Sequence, residues 1–328
     1  MGSVRAAGID CGTNSIRLLV ADVDPLTGRL TDVVRLLRLV RLGEGVDSTG
    51  RLAPAALERT LAAVAEYAEL CRDLGCQAVR MAATSATRDA ANAAEFTGGV
   101  RQILGVEPEV VDGLAEAALS FEGAMTAVDG EPPYLVVDVG GGSTELVLGE
   151  TGPQAAHSMD VGCVRMTERH LRSDPPSPAE LAAAQEDVDA ALDQAEAHVD
   201  LGAARTLVGV AGTVGSVTAH ALGLRTYDPS RVDGAILPAD DVLSACRSLW
   251  SMTRRQRGEL GFLEPRRADV IGGGALVWAR TVERIRQATA RAGHRLETIV
   301  SSEHDILDGL TQSAARRARP AGDTHLAK

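Results

Sequence analysis

Val4-Arg5-Ala6-Ala7-Gly8-Ile9-Asp10-Cys11-Gly12-Thr13-Asn14-Ser15-Ile16-Arg17-Leu18-Leu19-Val20-Ala21-Asp22-Val23 is the stretch that decides the fold. Two apolar runs flank a short polar turn that contains a glycine, the pattern of a β-hairpin. The pattern restarts after Pro132-Pro133, in residues 134–148, around Val137-Asp138-Val139-Gly140-Gly141-Gly142-Ser143. Both segments read apolar, Asp, x, Gly, small polar residues, then a second apolar strand. The two aspartates stand 128 positions apart, 138 minus 10. Such an echo predicts two related α/β lobes facing each other across a cleft, a preferred place for ligands.

Working outward, a third strand is expected over about 29–41 and a helix over 54–74, where Leu57, Leu61, Val64, Tyr67, Ala68 and Cys71 repeat at helical spacing. A strand at 77–83, a helix at 88–104, a strand at 108–112 and a helix at 115–125 follow. Beyond the second hairpin come a strand at 154–161, a helix to about 172, a long helix at 178–198 and a strand at 205–210. The rest reads as helical apart from a strand near 296–300. The expected division is a first lobe over 1–124, a second over 125–302, and a helix of about 303–316 packing back onto the first. The end of the chain, fraying from about Ala314 and disordered over 317–328, carries Arg, Pro and Gly.

Composition narrows the function. The net charge is −12, the wrong sign for a protein that grips a nucleic-acid backbone. No apolar window is long enough to span a membrane, and no signal peptide precedes the first strand. Five cysteines without a CxxC pair, Cys11, Cys71, Cys76, Cys163 and Cys246, read as reduced thiols of a cytoplasmic protein. Aromatics make up 2%, so Ala, Val, Leu and Ile must fill both cores.

Several segments could carry chemistry. In the first loop, Gly12 exposes backbone N–H groups and Thr13, Asn14 and Ser15 add side-chain donors, which together suit phosphate oxygens. Asp10 could hold a divalent cation through water; an ordinary hairpin turn explains this loop equally well. The second loop is more specific. Three consecutive glycines, Gly140, Gly141 and Gly142, cost chain entropy and make sense where the backbone must approach a ligand closely. Asp138 and Glu145 bracket them as carboxylates for metal or water, and Ser143 adds a hydroxyl. Arg88 follows Thr84-Ser85-Ala86-Thr87 and offers a planar fork for phosphate. Gly212-Thr213 lies in a glycine-rich strand-to-helix turn that could cradle phosphate. Glu116 falls in the first turn of a helix, where the dipole favours an ionised carboxylate able to take a proton from water. On residues alone, a plain helix-start glutamate is the stronger reading of Glu116. Gly272-Gly273-Gly274 reads as a packing or hinge feature. The arginines around Arg254, Arg255, Arg257, Arg266 and Arg267 read chiefly as a solvated face, with guidance of a polyphosphate chain as a lesser reading.

Over about residues 5–312 the chain resembles the exopolyphosphatase/guanosine-pentaphosphate phosphohydrolase family, short two-domain form, within the actin, Hsp70 and sugar-kinase superfamily. The residues that carry the resemblance are Gly8-Ile9-Asp10-Cys11-Gly12-Thr13-Asn14-Ser15-Ile16-Arg17-Leu18, Val137–Leu146, Thr84–Ala90 and Met159–Val164. It implies two ribonuclease H-like, actin-like lobes and an enzyme that hydrolyses the terminal phosphate of inorganic polyphosphate. A guanosine pentaphosphate or other nucleoside polyphosphate substrate is the alternative. It also implies Glu116 as catalytic base, Mg²⁺ or else Mn²⁺ near Asp138 with Asp10 and Glu145 as further ligands, and phosphate contacts from the two loops and Arg88. A homodimer is implied as well. Ala115 stands where the family carries an acid, which points to a slower or differently selective enzyme, or to a sensor that binds alarmone or polyphosphate. An ATP-dependent kinase of the superfamily is a fourth reading, disfavoured by the early position of Glu116.

Overall fold

The structure is a computed structural model and describes residues 2–24, 26–126 and 128–318. The first half of the chain builds β1 (Val4–Cys11), β2 (Ser15–Val23), β3 (Leu30–Leu39), β4 (Ala78–Ala83) and β5 (Glu109–Val110). Its helices are α1 (Val46–Thr49), α2 (Pro54–Asp73), α3 (Ser85–Asp89), α4 (Ala93–Leu104) and α5 (Gly113–Ala124). The second half adds β6 (Tyr134–Val139), β7 (Thr144–Gly149), β8 (Pro153–Met159), β9 (Thr206–Val210), β10 (Ile236–Pro238) and β11 (Thr298–Ser301). Its helices are α6 (Cys163–His170), α7 (Pro178–Ala195), α8 (Ala211–Ala221), α9 (Pro229–Val232), α10 (Ala239–Ser251), α11 (Arg254–Gly258), α12 (Ile271–Arg291) and α13 (Ile306–Arg317). No helix among the described residues is long and apolar enough to cross a membrane.

The strands form two mixed sheets, ordered β3-β2-β1-β4-β5 and β10-β11-β9-β6-β7-β8. In each, a three-stranded antiparallel meander comes first, and the next strand then joins its first strand in parallel: β4 beside β1, β9 beside β6. The echo in sequence is therefore an echo in topology, and the α/β class with two actin-like lobes is what the chain adopts. The register repeats it closely. Asp10 pairs across its hairpin with Arg17, and Asp138 pairs across its own with Glu145. Of the scarce aromatics, Trp278, Tyr67, Phe96 and Phe121 are fully buried.

Two helices tie the sheets together. α5 lies on β6, β7 and β8, whereas α13 lies on β1, β2 and β4, and the two helices pack on each other. The contact is backbone to backbone. A methyl group on Gly123 would collide with the carbonyl of Asp305, and one on Gly309 with the carbonyl of Leu119. A methyl on Gly8 would collide with Thr311, so α13 also sits directly on β1.

Three local readings needed correction. The helix expected over 88–104 is two, α3 and α4, because Asn92 turns its side chain to the backbone of Leu52, accepting at 2.8 Å and donating at 3.1 Å. β10 falls in a stretch read as helical; it has three residues and ends in proline, a residue confined to strand edges and ends. The chain does not fray at Ala314: α13 continues to Arg317, and Arg316 pairs with Glu122 at 2.8 Å. Residues 319–328 of the expected tail lie outside the described residues. Gly273 and Gly274 admit α12 against Thr167 and Thr213, so that triplet is a packing feature.

Candidate active site

The two glycine loops make the same turn. Gly12 N–H donates to the Ser15 carbonyl at 3.0 Å, and Gly140 N–H donates to the Ser143 carbonyl at 3.0 Å. Each is then anchored by its own lobe. The carbonyl of Asn14 accepts from the N–H groups of Val40 and Arg41, and that of Gly141 from Val164 and Arg165 at the start of α6. The loops also touch each other. A methyl on Gly141 would lie 2.8 Å from Thr13 Cβ and 3.2 Å from Asn14 N, and one on Gly142 would meet Ser85. Glycine is required here by approach between lobes rather than by backbone angle.

Between them lies a cavity of about 80 Å³. Asp10, Gly12, Thr13, Asn14 and Ser15 line it from one side, and Asp138 with Gly140 to Ser143 from the other. Thr84, Ser85, Glu116, Gly212, Thr213 and Arg267 also line it. Two of the candidates, Arg88 and Glu145, are not on it. Arg88 donates from one nitrogen, Nη1, to Glu116 Oε2 at 2.6 Å and to the Val111 carbonyl at 2.9 Å, so part of its fork is engaged beside the cavity. Glu145 is buried behind the second loop and accepts from Ser158 at 2.7 Å. Ala115 is exposed on the other side of α5 and gives its N–H to the capping Asp112, so the acid replaced there would not face the cavity.

The electrostatics of the carboxylates are set mainly by burial. Burial pushes the Glu116 carboxyl up to about 7; Arg88 works against this, and Asp138 and Asp10 add to it. The helix dipole expected to keep Glu116 ionised is thus outweighed by desolvation. Asp138 is likewise pushed up to about 7 by burial and by Asp305, and the hydroxyl of Ser120, donating to Oδ2 at 2.6 Å, pulls it back. Asp10 is raised by burial and held down by Arg17, which donates to its Oδ2 at 2.7 and 3.0 Å. Burial also raises the Cys11 thiol, which removes the thiolate that oxidation chemistry needs.

Mg²⁺ keeps several waters and binds through one or two carboxylates plus substrate phosphates. Asp138 opens on the cavity, and one oxygen of Asp10, the Thr13 hydroxyl and the Asn14 amide oxygen are buried without a partner. That donor set fits a hydrated Mg²⁺ completed by substrate. Among the described residues no three His, Cys, Asp or Glu side chains converge as an all-protein cage.

Four residues escaped the sequence reading in whole or part. Arg17 joins Asp10 to Asp305, the N-cap of α13. Its position opposite Asp10 follows from hairpin register, so that signal was present. Ser120 and Asp305 reach the site only through packing of α5 and α13. Arg267 lines the cavity although the adjacent Arg266 is exposed, and Arg257 of the same cluster, read as a solvated face, is buried.

Ser120→Ala is expected to lower kcat/KM about tenfold at pH 7, within the range for loss of a hydrogen bond that orients a functional carboxylate. Asp138 would then titrate higher, so the deficit should shrink toward pH 9. A pH–rate profile checks this; an equal deficit at both pH values overturns it.

The geometry agrees with comparisons to known proteins. A sequence model of the Ppx/GppA phosphatase family matches residues 19–300. Exopolyphosphatase 2 of Mycobacterium tuberculosis is 46% identical over 323 residues, 96% of this chain and 100% of the relative. A guanosine-5'-triphosphate,3'-diphosphate pyrophosphatase of Aeromonas salmonicida is 36% identical over 63% of this chain and 42% of its own length. The crystal structure of an exopolyphosphatase-like protein superposes with a TM-score of 0.93 at 47% identity, covering 97% of this chain and 99% of that one. With most of its length matched by the family and its loops arranged as described, this chain belongs to the Ppx/GppA phosphatase family.

Proposed function

We propose that this protein is an exopolyphosphatase, which hydrolyses the terminal phosphoanhydride of inorganic polyphosphate with Mg²⁺ or Mn²⁺ bound. The observation that carries the reading is Glu116, a buried carboxylate held near neutrality in the wall of a phosphate-sized cavity. A protein that only bound phosphate would need the loops; it would not need a desolvated base beside them. The relative from M. tuberculosis, matched over its full length, supports the same activity.

In this reading the backbone N–H groups of the glycine loops and the hydroxyls of Thr13 and Ser143 hold the end phosphate. Glu116 takes a proton from water as the water oxygen attacks phosphorus, and the phosphoanhydride bond breaks with its electron pair leaving on the shortened chain. Arg88 keeps the Glu116 carboxylate oriented. Asp138 and Asp10 would hold the cation, which when bound offsets phosphate charge. Placement and fixed dipoles supply most of the rate gain in such transfers.

A second substrate has an observation in its favour. A cavity of about 340 Å³ adjoins the first, and Leu36, Leu37, Tyr227 and Phe262 give it apolar walls that suit a nucleoside. Phosphate release with Mg²⁺ from polyphosphate and from guanosine pentaphosphate separates the two. Release from the nucleotide alone overturns the first reading, and release from neither overturns hydrolysis itself.

A further inference from the structure

We infer that Arg267 is a substrate-contacting residue that holds the phosphate on the leaving side of the scissile bond. The inference rests on the proposed function in one respect, that an end phosphate is cleaved between the two glycine loops.

Four observations lead to it. Arg267 lines both cavities, whereas Glu116 lines only the smaller one. In-line displacement places the attacking water and the leaving oxygen on opposite sides of phosphorus. With Glu116 on the water side, the substrate's remaining phosphates extend toward the larger cavity, past Arg267.

Second, the guanidinium makes no side-chain hydrogen bond and no ion pair among the described residues. The acidic side chains around the larger cavity are committed elsewhere. Glu264 caps the backbone N–H of Arg266, Glu303 accepts from Tyr227, and Asp305 accepts from Arg17 and from Leu307 N–H. The other arginines at this end of the cleft are also paired, Arg17 with Asp10 and Asp305, and Arg35 with Asp308. Arg267 is thus a half-buried cation whose guanidinium has no ion-pair partner among the described residues.

Third, that cation is placed where the fold itself repels it. The guanidinium rests against Gly212, so closely that a Cβ there would overlap it. Gly212 is in the first turn of α8, an 11-residue helix whose N-terminus carries positive partial charge. A cation over a helix N-terminus is unfavourable unless an anion sits between or beside them, and phosphate suits both groups.

Fourth, the turn into α8 is strained. Ala211 adopts φ of 70°, a left-handed conformation rare for a residue with a side chain. Strain of this kind is retained where a site needs it. Arg267 would neutralise charge that builds on the bridging oxygen as its bond to phosphorus breaks, and the loss on removing such a group falls on turnover.

The test compares wild type with Arg267→Ala and Arg267→Lys. For Arg267→Ala, kcat on tripolyphosphate should fall on the order of a hundred- to a thousandfold, with partial recovery on adding guanidinium ion. Calorimetric titration should show weaker tripolyphosphate binding and unchanged orthophosphate binding, because orthophosphate has no leaving side. Arg267→Lys should retain binding better than turnover. The unliganded Arg267→Ala protein should melt no lower than wild type, since the change relieves repulsion at α8. A kcat within threefold of wild type, or an equal loss of affinity for both phosphates, overturns the inference. If wild type cleaves nothing yet tripolyphosphate binding still depends on Arg267, the proposed function fails and the contact stands.

Discussion

Glu116→Gln is expected to cut phosphate release by about a thousandfold with little change in KM, the middle of the range for losing a general base. The amide preserves shape and can still accept from Arg88, so binding survives while proton transfer does not. Wild-type activity should carry the same signature in pH. Glu116 must be ionised to act, so kcat/KM should rise with pH and level off above about 7. A cation in the cleft moves this midpoint lower. Stability moves the other way. Because the folded-state value lies above the ordinary 4.5, this group stabilises the fold fully below pH 4.5 and loses that contribution as pH passes about 7. Glutamine never ionises. Thermal melts should therefore show the variant gaining on wild type at pH 8 and not at pH 4. More than a tenth of wild-type activity in Glu116→Gln would remove this residue from its assigned role.

Gly123→Ala is expected to be the most damaging single methyl group outside the site. It would press on the Asp305 carbonyl, carbon and Cα, all backbone, so no side chain can rotate away. Overpacking of this kind costs about 3 kcal/mol or more, which for a chain of this size lowers Tm by about 4 °C. Asp305 holds Arg17, and Arg17 holds Asp10, so displacement of α13 reaches the first loop and activity should fall with stability. Gly98→Ala is the matched control. It lies inside α4 with nothing within 4 Å of the added carbon, and should stabilise by about 0.5–1 kcal/mol through helix propensity. Equal melting temperatures for Gly123→Ala and wild type would show that the two helices are not tightly engaged.

Much of this molecule was legible in the chain because it says the same thing twice. Two hairpins with Asp at one position and Gly two residues later announced two lobes and a cleft, and every loop residue named from them except Glu145 lines the cavity. Arg88 and Glu145 were legible as charges, but their bonds to Glu116 and Ser158 were not, since those partners come from other elements. Glu116 itself had an ordinary explanation as a helix-start residue, and only family resemblance raised it above that. Arg267 shows the limit most clearly. The residues just before it, Glu264 to Arg266, face solvent, and what distinguishes it is the glycine on another helix that makes room for it. Periodicity reports which face a residue takes within its own element; it carries no information on which cation is left without a partner.

The packing of Gly8 against Thr311 also has a consequence for how the protein is made. β1 leaves the ribosome 295 residues (306 minus 11) ahead of the helix that covers one face of it. At about 5–20 residues per second, the nascent sheet stays half-clad for tens of seconds, an interval in which chaperones compete with aggregation for its open side. A premature stop codon before Ile306 would delete no strand of the first sheet. It would nonetheless strip that sheet of its cover, so a lesion in the later-made helix should be felt as misfolding of the sheet made before it.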